Sequence, residues 1–187
     1  MNKTITFVAA MFGVVTVAFL ILFATAYISA SNDGVRFEAT IKAKYQNAQN
    51  IRANYGQKVL EAAQVPGMYK QDLKEITDSA ITNRYGAEGS KAVFQFIKEQ
   101  NPTIDASMYT KIQQIIEAGR DEFKNSQAMV LDARAVYETQ LGLFWKGFWL
   151  KMAGFPKVDL DTYNPVITAD VQKSFETKRE AAPIQLR

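Results

Sequence analysis

The 187-residue chain contains no histidine and no cysteine. Without them no Cys/His zinc site can form, and no Ser-His or Cys-His catalytic pair. A disulfide framework, thiolate redox chemistry and a cysteine-linked lipid anchor are excluded too. The usual di-metal site of a four-helix bundle needs Glu-x-x-His pairs, and it falls with the histidines. Charge of one sign is also scarce. The 22 Lys+Arg and 19 Asp+Glu leave only +3, mostly balanced locally, so nucleic acid is not an expected partner. No glycine-rich phosphate loop is present, because Gly86-Ala-Glu-Gly89 lacks a following Lys-Ser pair and precedes no strand pattern. Asp159-Leu-Asp161 is too short for a calcium loop and is expected to cap a turn before Asn164-Pro165.

What is there begins at the N-terminus. The first charge is Lys3 and the next is Asp33, leaving Thr4–Asn32 uncharged. The strongly apolar part runs from Ile5 to Ile28. As a helix its 24 residues span about 36 Å, enough to cross a hydrocarbon core. Backbone groups inside lipid must be bonded internally, so a helix is required. The run is about twice the length of a signal-peptide apolar region, and too long and uniform for a buried core helix. A membrane anchor over residues 1–30 is therefore expected. Lys3 faces Arg36, Lys42 and Lys44 across that segment, which favours an outside N-terminus and a cytoplasmic main domain.

From Asp33 the texture becomes helical and lysine-rich, with no alternating strand pattern. Ser31-Asn32-Asp33 offers N-cap residues, although the helix can also run on continuously. Ile41, Ala48, Tyr55 and Ala62 recur every seven residues, with Phe37, Tyr45, Ile51 and Val59 between them. That amphipathic helix should end before Pro66-Gly67. A second helix is expected over about Tyr69–Arg84, with Leu73, Ile76 and Ala80 inward. A third covers Ser90–Gln100, with Val93, Phe94, Phe96 and Ile97, and Asn101-Pro102 ends it. Thr103 and Asp105 then cap what reads as the longest helix of the chain. Ile112, Gly119, Ser126, Ala133 and Gln140 take one heptad position in it, and Ile116, Phe123, Val130 and Tyr137 the other. This coiled-coil-like stripe of small and large residues suits close antiparallel packing, so it reads as core. Glu117, Asp121 and Glu122 lie beside Arg120 and Lys124 and read as a solvated face. A polar tail follows over residues 166–187, weakly helical near Asp170–Ala181.

Both tryptophans fall in the stretch Leu141–Phe155. Phe144, Trp145, Phe148, Trp149 and Phe155 cluster there, with Lys146 and Lys151 as the only charges. On one helix Trp145 would stack above Trp149, and Phe144 above Phe148. Such a helix closes a core, lies against a membrane, or meets another protein surface. These seven residues are the candidate membrane- or partner-contact site.

The same region resembles the LemA family, whose last helix carries Asp-Ala, Tyr-Asn, Phe-Pro and Gly-Phe pairs at fixed spacing. Here the corresponding residues are Asp132-Ala133, Tyr137-Glu138, Phe144-Trp145 and Gly154-Phe155. Glu138 stands where the family prefers Asn, and Trp145 where it prefers Pro. The match is best over residues 120–156; Val65-Pro66 and Met68 echo the family's first hairpin only faintly. The resemblance implies an all-α fold: one transmembrane helix, then an antiparallel four-helix-bundle-like domain over residues 31–165. It also implies a membrane-anchored protein without enzymatic activity.

No catalytic residue, cofactor or metal site is expected. The expected role is a scaffold or self-associating protein at the membrane, with the lipid bilayer and a further copy of the chain as partners. Alternative readings are a membrane-active, lysis or permeability-regulating protein, and an adaptor or sensor that binds a partner protein.

Overall fold

The computed structural model describes residues 3–82, 89–102 and 106–164. Among them every regular element is helical and no strand occurs. Helix α1 spans Lys3–Ala63, α2 Lys70–Ile81, α3 Gly89–Gln100, α4 Ala106–Gly142 and α5 Phe144–Met152. Short 3-10 turns cover Gly67–Tyr69 and Leu160–Tyr163. The expected caps Thr103 and Asp105, residues 86–88 of the Gly86-Ala-Glu-Gly89 stretch and the 166–187 tail lie outside the described residues.

One expectation is corrected and one open alternative is decided. The longest helix is α1 with 61 residues, not α4 with 37. No cap interrupts α1 at Ser31-Asn32-Asp33. The chain has no proline before Pro66, so nothing in the first 63 residues removes a helix donor. Of the weak helix formers there, Asp33 is held by its ion pair with Lys146 and Gly34 by packing under Phe155. Helix α1 stops where Gln64 turns to positive φ and Pro66 restricts Val65.

The chain divides into two compact units, Met1–Ala43 with Asp132–Tyr163, and Lys44–Leu131 with Asn164–Arg187. Both draw residues from α1 and α4.

The second unit holds an aliphatic core. Val59, Ala63 and Val65 meet Leu73 and Ala80 of α2, Val93 and Ile97 of α3, and Ile112 and Ile116 of α4. Ala48, Tyr55, Ile81 and Phe123 form a neighbouring cluster. Lys44 reaches Met129 at 3.9 Å, while Tyr55 lies over Gly119, so α1 and α4 pass in opposite senses here. The Tyr55 hydroxyl donates to Glu122 at 2.7 Å, which with burial raises the phenol above its ordinary value. Arg52 donates to Asp78 and lies over the Phe123 ring. Arg120 donates to the Ala80 carbonyl at 3.0 Å and so caps the C-terminal end of α2.

The first unit centres on Ile41, Tyr137, Leu150 and Phe155. The heptad stripe of α4 runs inward across both units as expected, from Ile112 and Ile116 through Phe123, Ser126 and Val130 to Tyr137. Asp159 accepts from the Asp161 N–H at 2.9 Å, the turn expected from that pair.

Candidate functional site

The aromatic stretch is not one helix. Helix α4 ends at Gly142, Leu143 is extended, and α5 starts at Phe144. The Gly147 N–H donates back to the Leu143 carbonyl at 2.7 Å. This tight corner brings Gly147 against the backbone of Leu141, where an added Cβ would lie within 2.9 Å of the carbonyl carbon. Only glycine fits there. At the other end, Gly154 takes φ +81°, and the Phe155 N–H returns to the Leu150 carbonyl at 3.0 Å.

Helix α5 packs on α1 within the first unit. Phe155 lies directly over Gly34, where a Cβ would come within 2.7 Å of its ring, so the close approach requires glycine. Lys146 forms an ion pair with Asp33. About three α1 turns deeper into the apolar run, the Trp149 ring meets Phe23 edge-on at 4.9 Å between centroids. Ala30 is buried between these points.

The polar support comes from Glu38 on α1. Its carboxylate accepts from the Tyr137 hydroxyl at 3.1 Å and from the Lys157 N–H at 2.6 Å. Tyr137 is wholly buried and stacks on Phe37 at 5.5 Å. Burial, with the hydrogen bond and charge of Glu38 added, pushes its phenol well above the ordinary value. Arg134 gathers the segment after α5, donating to the Leu160 carbonyl at 3.1 Å and to Asp161 at 3.3 Å.

The seven candidate residues therefore separate into two sets. Trp149 and Phe155 are buried and belong to the core of this unit, not to an outward contact surface. Lys146 is partly covered and ion-paired. The outward set is Phe144, Trp145 and Phe148, at 91%, 65% and 52% exposure, with Lys151. Leu143 and Met152 extend this exposed face. Trp145 stands edge-on to Trp149 at 5.5 Å as the helical spacing expected, and Phe148 packs on both indoles. The Trp149 indole N–H is buried without an acceptor among the described residues.

Sequence reasoning missed Phe23, Asp33, Gly34 and Glu38. Gly34 and the adjacent charges at the end of an uncharged run were the available signal. The pairs themselves join residues 99 or more positions apart, which no local period reports. An open recess of about 370 Å³ lies along α1, lined by Thr25, Ile28, Ser29, Asn32, Asp33 and Arg36. Among the described residues no three acidic side chains converge to hold a metal ion.

Among the described residues one helix, α1, is long and apolar enough to cross a membrane. No family model matches the chain, and neither curated proteins nor solved structures give a significant match.

Proposed function

We propose that the protein is a non-enzymatic, single-pass membrane protein whose antiparallel helical bundle acts as a scaffold, associating with further copies of itself at the membrane. The anchor is the N-terminal half of α1, with the N-terminus outside and the bundle in the cytoplasm. One observation carries this reading. From Phe7 to Ile28 the large apolar side chains of α1 are exposed on every face of the helix. Withdrawing them from water is worth on the order of tens of kcal/mol, far more than any surface ion pair in the molecule. Confinement to a membrane raises the effective concentration of the bundles, so weak contacts suffice for assembly.

The LemA-like reading belongs with this proposal. The residues that carry the resemblance, Asp132, Tyr137, Phe144, Gly154 and Phe155, all fall in the unit that contains the apolar run. Tyr137 and Phe155 share its core, and Phe144 is the most exposed of the large apolar residues described.

The test is fractionation followed by sizing in native lipid particles. The full chain should stay with membranes through an alkaline carbonate wash and run as more than one copy. Release by carbonate would sink the anchor, and a strictly monomeric particle would sink self-association. A reporter fused to Arg187 should read cytoplasmic.

A further inference from the structure

We infer that α5 is an in-plane membrane foot. Its outer face of Leu143, Phe144, Trp145, Phe148 and Met152 rests in the headgroup–acyl boundary of the bilayer that the α1 apolar run crosses. This rests on the anchored reading above and adds to it the occupant of the aromatic face and its depth.

The argument is one of level. Helix α5 is fixed to α1 at two heights. Lys146 pairs with Asp33, the first charge beyond the uncharged run. Trp149 meets Phe23, which lies five residues inside Ile28, the end of the strongly apolar stretch. Five helical residues are about 8 Å along the axis. A bilayer that covers Ile5–Ile28 therefore reaches the height of α5. In-plane helices bury their apolar face by about 5–10 Å, which agrees with this placement.

The chemistry of α5 agrees too. Gly147, Trp149 and Leu150 face the protein and are buried. Phe144, Trp145, Phe148 and Met152 face away and are exposed. Phe-Trp-Lys-Gly-Phe-Trp-Leu-Lys-Met holds no acidic residue, so anionic headgroups meet no repulsion. Trp and Lys are the side chains that place an apolar body in acyl chains and a polar tip at the headgroups. The inner side of α5 also adjoins the apolar run, because the buried Trp149 packs on Phe23. A soluble protein partner would have to enter the lipid layer to reach it. A second copy of the chain is the remaining competitor.

The only two tryptophans of the chain, Trp145 and Trp149, both lie on α5, so selectively excited tryptophan emission reports this helix alone. The experiment reconstitutes the full chain into phosphatidylcholine vesicles, checks flotation, and compares emission in plain and acyl-brominated lipid. Trp149→Phe isolates Trp145, and comparing the unsubstituted chain with Trp145→Phe gives the Trp145 share by difference should Trp149→Phe fail to fold. Trp145 should lose more emission to bromine near the glycerol end of the chains than to bromine near the bilayer centre. Flotation with emission equal in both lipids overturns the foot and leaves the anchor standing. Failure to float overturns both. Emission shielded from bromine and from aqueous acrylamide alike, and rising with protein-to-lipid ratio, assigns the face to a second copy and overturns the foot.

Discussion

The two units solve the same problem with matching devices and finish differently. Each ties α1 to α4 through a tyrosine and a glutamate. In the second unit Tyr55 of α1 donates to Glu122 of α4, and in the first Tyr137 of α4 donates to Glu38 of α1. Each lets a large ring approach a glycine, Tyr55 over Gly119 and Phe155 over Gly34. Each holds a secondary segment with an arginine, Arg52 on Asp78 and Arg134 on Asp161. The difference lies in what stays outside. Among the described large apolar residues, the second unit exposes only Met68, Met129 and Leu131. The first exposes the whole run from Phe7 to Ile28 and the outer face of α5. One unit buries its apolar surface within itself, and the other leaves it to its surroundings.

Core truncations should break this contrast most sharply. Tyr137→Ala empties a wholly buried site in the first unit and should cost about 3–5 kcal/mol. Chemical unfolding in detergent, followed by tryptophan emission, would show it as an earlier transition. Leu73→Ala in the second unit should cost about 2–5 kcal/mol, read by far-ultraviolet dichroism. Its tryptophan transition should stay in place, because both tryptophans lie in the first unit. A common shift of both signals would mean that the units unfold together.

Gly34→Val drives a side chain into the Phe155 ring and should cost about 1–3 kcal/mol, with a red shift of Trp149 emission as α5 loosens. The smallest effect concerns alkaline pH. Both Tyr137 and Tyr55 hold their protons more tightly in the folded chain than a free phenol does. Their contribution is fully present below the ordinary phenol value near 10 and is lost as pH rises past it. Unfolding midpoints should therefore fall above about pH 10, and Tyr137→Phe should flatten that fall. An unchanged alkaline slope in Tyr137→Phe would place the loss elsewhere, with Tyr55 the first alternative.

The helices and their inward stripes were legible because a heptad is a local signal. Ile41, Ala48, Tyr55 and Ala62 on α1, and Ile112 through Tyr137 on α4, are buried or nearly so. Each needs only its own neighbours to be recognised. Pro66 and the Asn101-Pro102 break were legible for the same reason. The aromatic cluster was legible as a composition and not as an arrangement. Nine residues are too few turns for a period to say which face is inner. Trp149 and Phe155 go inward because Phe23, Gly34 and Ile41 receive them, and those residues are distant in sequence. Glu38 looked like any charge on a polar helix face until Tyr137 and the Lys157 N–H converged on it.

The uninterrupted passage of α1 through Ser31–Gly34 has a consequence for helical phase. The stretch that carries Phe23 and the one that receives Lys146 and Phe155 are keyed to one another by the winding of a single helix. One residue inserted after Ile28 would turn one stretch by about 100° against the other. Four inserted residues would lengthen the rod and return it almost to phase, with Phe23 displaced by about 6 Å. Evolution or design can therefore change the height of this unit in steps of a turn, but not of a residue.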